Sequence, residues 1–563
     1  MKFHIYGKKI HFALFTGLFL TLLFAGCSMA HDENLEDTLP DSVEYIELTD
    51  STVSLSDIMG KKIYLVTVNT SSQKGESQRY VTEFDNSYNL RRIKAESPKQ
   101  LLSEREFENL FYDQQDLCIP ARIDPQIHVD LQSEFQCTRS TDDDSDTFEL
   151  HAPIDYQIGD TREMYVGTGA DPNYTEEAVA TLVYKSDICN VWVCNDYLAE
   201  NEPAGGNKVD ASICEKLATV LEQAIVLERN IFGNESDYLG LRISSEYPMT
   251  ECSPTGTRIN LLLYDISSDY TESQTSGTLG FFTPGDYFPW KTTYNGTSHS
   301  NGGKFLHVDS GFANNFPGST QSTVVHEFQH MIHNGMFRAK GKISETWYDE
   351  MCSMLAEDLL QKKLGLADKD VGKVRFKHLM VSYRTFPFFK WDNSDSNASA
   401  KSYANAYGLG CIISKKYGGP DFIYELTHNA ASGTLEGFLE VVKSHDPFAT
   451  KESILQDIAV EMVTGQYSNR NVVSTDHVMD DYTYPMTAFD LLNFDWVSSG
   501  KQYKGPHYKS VYNNPKDANA NPIVLEPNQF TIAYLGTSSY DDLVLEFNGM
   551  VSADIKEYIL VVD

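Results

Sequence analysis

The sequence predicts an α+β chain. A mixed sheet and a long amphipathic helix lead into a helical subdomain, with a β-rich segment before this core and a small all-β segment after it. Three observations carry that expectation. Arg258 to Ile266 (RINLLLYDI) reads as a buried strand. From Ala211 apolar residues recur three or four apart (Ile213, Leu217, Val220, Leu221, Ile225, Leu227), and helical texture dominates from 320 to roughly 465. Beyond roughly 480, short β-rich runs return at regular spacing: Phe530–Leu535, Leu543–Phe547 and Tyr558–Val562.

Length and charge bound the function. The 563 residues suffice for about three or four domains. With 30 Phe, 32 Tyr and 5 Trp there is enough to bury, which excludes disorder throughout. The 45 basic residues face 80 acidic ones, a formal charge of −35, and such a surface repels phosphate, so a nucleic-acid partner is excluded. A single long apolar run excludes a polytopic membrane protein.

That run opens the chain. Lys2, Lys8 and Lys9 precede the apolar stretch Phe12–Ala25, and Phe24-Ala25-Gly26-Cys27 follows. Positive start, apolar middle and small-residue end are the layout of an export signal. The small pair before Cys resembles a bacterial lipobox, with Phe24 where Leu is usual. The resemblance implies lipid attachment at Cys27, removal of residues 1–26, and an anchor at the outer membrane or cell surface. Ser28 is not the Asp that commonly retains lipoproteins at the inner membrane. A plain signal peptide with an incidental Cys is the alternative. Residues 27–42 are polar and acidic and read as a tether.

From Val43 the pattern is strand-like. Lys62–Val68 (KIYLVTV) is the strongest run, bounded by Gly60 and a Ser-rich stretch. Asp142-Asp143-Asp144-Ser145-Asp146 reads as a solvated loop, with a calcium ion as the unsupported alternative. Ala180–Tyr184 and Val191–Val193 are strand-like again, and Glu202-Pro203-Ala204-Gly205-Gly206 reads as a linker. Thr278–Phe282 and Lys304–Val308 are short strands around a Gly-, Asn- and Ser-rich loop over 285–303. After Cys27, eight cysteines remain, an even number that permits a disulfide framework in an exported chain. Proximity favours Cys118–Cys137 and Cys189–Cys194.

The segment that carries chemistry is Ser322–Met336, STVVHEFQHMIHNGM. On a helix, His326 and His330 share one face, so both imidazoles reach one cation. Glu327 projects about 100° away from His326, which suits a carboxylate beside a metal. Val325, Phe328 and Ile332 give the helix an apolar stripe. This is the H-E-x-x-H signature of zinc peptidases. A catalytic zinc needs three protein ligands and an open position for water. The next helical stripe, Trp347, Met351, Leu355 and Leu359, with Ser344 as its expected N-cap, offers Glu350, separated from His330 by nineteen residues. Glu345 and Glu357 are rivals for the third ligand. His333 reads as a helix-surface or supporting residue.

H-E-x-x-H, nineteen residues, then Glu is the ligand spacing of the gluzincin metallopeptidases, whose fold is zincin-like. VVHEFQHMI followed by ETWYDEMCSMLAED resembles the hyicolysin family of bacterial secreted metallopeptidases. The resemblance takes in RINLLLYDI, the GFF segment and FLHVDS, roughly residues 205–430. It implies zinc on His326, His330 and Glu350, with Glu327 as general base. Asp349 stands where Asn is usual, Met351 where a small residue is usual, and Met354 where thermolysin-like enzymes carry an Asp that orients a His. Asp349, Ser353 and Glu357 are candidates for that orienting role. Ser402–Gly408 (SYANAYG) resembles the segment whose Tyr steadies the oxyanion in zinc aminopeptidases, which implies Tyr403, or failing it Tyr407. No G-x-M-E-N segment occurs, which argues against an aminopeptidase.

The expectation is therefore a lipid-anchored zinc endopeptidase acting on protein or peptide. A catalytically inactive surface lipoprotein with binding modules is the alternative. The expected boundaries are signal peptide 1–26, tether 27–42, β-rich domain 43–150, β-rich pre-catalytic segment 151–203, metallopeptidase domain 204–480 and C-terminal β domain 481–563.

Overall fold

A computed structural model of the chain describes residues 43–563 apart from 78–79, 85–149, 168–175, 200–203, 241–245, 269, 272–276, 295–297, 499–500 and 511–522. The leader with Cys27, the tether, the pair Cys118–Cys137 and the acidic run 142–146 lie outside the described residues. No helix among the described residues is long and apolar enough to cross a membrane.

The strand Ile259–Tyr264 is buried at every position. It has a parallel neighbour on each side, Lys304–Asp309 and Cys189–Cys194, and strands so placed are covered on both faces. The sheet continues antiparallel through Glu176–Lys185 to Thr161–Val166. At the opposite edge Gly280–Phe282 runs antiparallel to Lys304–Asp309. The strands between 151 and 203 therefore belong to the same sheet as Ile259–Tyr264. This corrects the expected boundary at 204, because Val191 is in register with Leu261.

Side chains alternate between the two faces of this sheet. One face presents Trp192, Leu262, Tyr264, Phe281 and Phe305, with Phe288 and Trp290 of the following loop packed on them. The other meets two helices, the scaffold helix Ala211–Phe232 and the motif helix Pro317–Met336. The scaffold helix starts where the Asp210 side chain accepts the Ile213 N–H, and it stops at Gly233, whose φ of 97° suits glycine. Pro317 opens the motif helix, where a missing N–H loses nothing.

Cys189 and Cys194 do not pair. Both are buried free thiols five residues apart on one strand, so they point to opposite faces. Cys214, Cys252, Cys352 and Cys411 are also buried and free.

The β-rich ends of the chain form one module, not two. Lys62–Asn69 lies between Gln529–Thr537 and Ile555–Val562, antiparallel to both. Leu543–Asn548 lies between Thr52–Leu55 and Tyr80–Phe84. Leu55, Ile63, Leu65, Leu545, Phe547 and Ile559 share one core. This corrects the separate domains expected over 43–150 and 481–563. Strand alternation is local, whereas the partner strand lies more than 450 residues away. The stretch just past 480 stays with the helical body. The Tyr482 hydroxyl donates to Leu359 O and that of Tyr484 to Leu227 O.

Candidate metal centre

The motif helix is buried on nearly all sides. Val325, Phe328 and Ile332 are fully enclosed, and burial of each contributes about 1.5–3 kcal/mol. His326 and Glu327 are as deeply buried, so the helix is held between the sheet and the carboxylate helix Thr346–Leu364. Glu345, not Ser344, occupies the N-cap of that second helix. Ser344 serves elsewhere: its Oγ is 2.6 Å from His333 Nε2. Gly410 of the tyrosine helix Ser396–Lys416 permits the next layer to close, since a Cβ there would lie 2.6 Å from Met351 Cγ.

Glu350 Oε2 lies 3.0 Å from His326 Nε2 and 3.5 Å from His330 Nε2. The opposite ring nitrogens are held. Nδ1 of His326 is 2.7 Å from Glu357 Oε1, and Nδ1 of His330 is 2.8 Å from Asp349 Oδ1 and 3.1 Å from Ser353 Oγ. These supports are themselves tied. Ser322 donates to Glu357 Oε2 at 2.8 Å, and Ser353 donates to Gln329 Oε1 at 2.6 Å. An imidazole that gives its Nδ1–H to a carboxylate turns the Nε2 lone pair outward. Here both Nε2 atoms converge beside one carboxylate oxygen. Asp349, Ser353 and Glu357 are thus the side chains that meet the two rings from behind. Glu345 is engaged differently, accepting the Trp347 indole N–H at 2.7 Å.

Charge follows the contacts. Burial opposes protonation of His330, but Asp349 and Glu350 outweigh it and hold its pKa well above the usual value. Burial also opposes ionisation of Asp349, yet His333 and His330 keep its carboxyl well below the carboxylate range. His333 is a buried side chain, not a surface one, and burial pushes its pKa down to about 4.

Glu327 also lies beside the pair. His326, Glu327 and His330 present ligand atoms all within 4.8 Å of one another. Glu327 is distinguished from Glu350 by its partner: its Oε2 accepts the backbone N–H of Phe282 at 2.9 Å. The edge strand approaches this closely because residue 280 is glycine. A Cβ there would lie 2.7 Å from His307 O and 2.8 Å from Thr323 Cγ2. Sequence reasoning missed this contact. The available signal was a glycine inside an aromatic strand, GFF, which marks close backbone approach.

Tyr403 and Tyr407 lie on the tyrosine helix, which packs against the carboxylate helix. The tyrosine helix runs so that Gly410 faces Met351 and Leu355, while Tyr407 sits beside Met354 O and the would-be Cβ of Gly372. Tyr403 is enclosed, with its ring 4.7 Å from that of Trp391 and the Arg375 guanidinium 4.6 Å over it.

Two imidazole nitrogens and one carboxylate oxygen, with each ring buttressed behind, form a donor set whose chemistry fits zinc. No protein-family model matches the chain. The chain is 24% identical over 292 residues to the neutral metalloprotease ShpI of Staphylococcus hyicus. The match takes in 49% of this chain and 56% of the relative, so the chain spans little more than half of that relative's length. By sequence, then, the chain is similar at a distance to a neutral metalloprotease.

Proposed function

We propose that the chain is a zinc-dependent endopeptidase, exported and lipid-anchored through Cys27. The observation that carries this reading is the convergence of His326 Nε2 and His330 Nε2 on Glu350 Oε2, at 3.0 and 3.5 Å, with Glu327 beside them. His326, His330 and Glu350 would hold the ion. Bound there, zinc supplies Lewis acidity toward a carbonyl and lowers the pKa of water toward about 7. Glu327 takes the proton from the water that attacks the peptide carbonyl and delivers it to the leaving amine. The Phe282 N–H holds the Glu327 carboxylate in place for that transfer. The similarity to a neutral metalloprotease supports a protein or peptide substrate.

The test uses residues 28–563. Bound zinc near one per chain, casein cleavage abolished by chelator, and Glu327→Ala that keeps zinc but loses cleavage would sustain the proposal. Undiminished cleavage by Glu327→Ala would refute the mechanism. Zinc binding without any cleavage by the wild-type chain would instead indicate an inactive surface protein that binds its partners through the β module.

A further inference from the structure

The sheet face turned away from the motif helix contains a chain of hydrogen bonds that the proposed chemistry does not use. Tyr264 Oη donates to Gly167 O at 3.0 Å and lies 3.1 Å from His307 Nδ1. His307 Nε2 lies 2.9 Å from Asp286 Oδ2. Asp286 Oδ1 accepts the Asn301 N–H at 2.8 Å, and the Asn301 side chain bonds both the N–H and the C=O of Tyr165. His307 and Asp286 are 0% exposed and Tyr264 is 3%. Burying such groups costs about 1–3 kcal/mol each unless every partner is in place, and apolar residues would fill this face at less cost.

The position of the chain explains its presence. Phe281 stacks on the His307 ring at 4.4 Å and 4°. Asp286 sits in the turn that leaves the edge strand. Gly280–Phe282 is three residues long and paired on one side only. Short strands of this kind hold their register weakly by themselves. The next residue along, Phe282, gives its N–H to Glu327.

We infer that Asp286, His307 and Tyr264 are positioning residues that clamp the edge strand from behind and thereby fix Glu327. They act through Phe281 and the turn at Asp286. The effect on turnover rests on the peptidase proposal, but the clamp itself does not.

The test compares Asp286→Asn and Tyr264→Phe with wild type by amide hydrogen exchange, read by mass spectrometry on metal-free protein. Tyr484→Phe, which removes a buried hydroxyl elsewhere, is the control. Exchange over Gly280–Tyr287 should quicken about tenfold in both variants, with the motif helix and Ile259–Leu263 unchanged and the control unaffected. In the zinc-loaded protein kcat should fall about tenfold with zinc content retained. Unchanged exchange over Gly280–Tyr287, or equal quickening across the whole sheet, would overturn the clamp. Local quickening with kcat intact would overturn its link to Glu327. A wild-type chain that cleaves nothing would defeat the peptidase proposal while exchange still decides the clamp.

Discussion

Glu357 Oε1 lies 2.7 Å from Nδ1 of His326, on the side of the ring away from Glu350. This carboxylate, seven residues beyond Glu350 on the same helix face, sets the orientation of a proposed ligand without being one. Glu357→Gln should keep the fold and weaken zinc binding about 10–100-fold. Competition with a chromophoric chelator measures it, and unchanged affinity would place the orienting force elsewhere.

Glu350 and Glu345 are five residues apart and differ in their partners. Glu350→Ala should leave far less than one zinc per chain. Glu345→Ala should retain zinc and lose about 1 kcal/mol of stability, because the buried Trp347 N–H loses its acceptor. Metal analysis beside thermal unfolding separates the two. Zinc loss in Glu345→Ala would exchange their roles.

Gly280→Val should push the edge strand away from the motif helix, since even a Cβ meets His307 O at 2.7 Å. Cleavage should fall at least about tenfold, with destabilisation of roughly 1–3 kcal/mol and zinc content unchanged. A fully active valine variant would mean the strand has room to spare.

Acid should destabilise the junction between the helical body and the β module. His507 lies there, its backbone N–H on Met380 O and its C=O accepting from the Tyr383 hydroxyl. Burial, aided by Arg384, pushes its pKa down to about 4. The unfolded chain therefore takes up this proton first. The stability associated with neutral His507 is complete above about pH 6.5 and is lost as pH falls toward 4. His507→Phe should remove roughly 2–3 kcal/mol of that acid dependence. Denaturant melts at pH 7 and 5 would reveal it, and parallel pH curves for both proteins would disprove it.

Ending the chain at Asp554 removes the strand that pairs with Lys62–Asn69. The N-terminal strands then lose a neighbour from the far end of the described residues. Limited proteolysis should cut within 43–84 at once in the shortened chain and slowly in the intact one.

Much of the site was legible because its chemistry is written at helical spacing. His326, Glu327 and His330 lie within five residues, and the helical stripe before and after Glu350 put that carboxylate on a second helix. What escaped was everything that depends on chain direction and distant pairing. Tyr403 shares a short motif with other enzymes, and its packing with Trp391 and Arg375 could not be read from that motif. Ser344 looked like a helix cap and instead meets His333. Cys189 and Cys194 are near in sequence and face opposite ways.

By itself the amino-acid order determined which segments are strands and helices and which side chains could bind a metal, because periodicity and donor chemistry are local properties. Only the tertiary structure decided that the two β-rich ends close into one module and that residues 151–203 extend the main sheet. It alone brought the Phe282 N–H to Glu327. The physical reason is the same in each case: backbone hydrogen bonds between strands carry no side-chain label, so partners hundreds of residues apart are chosen by the packing of the whole.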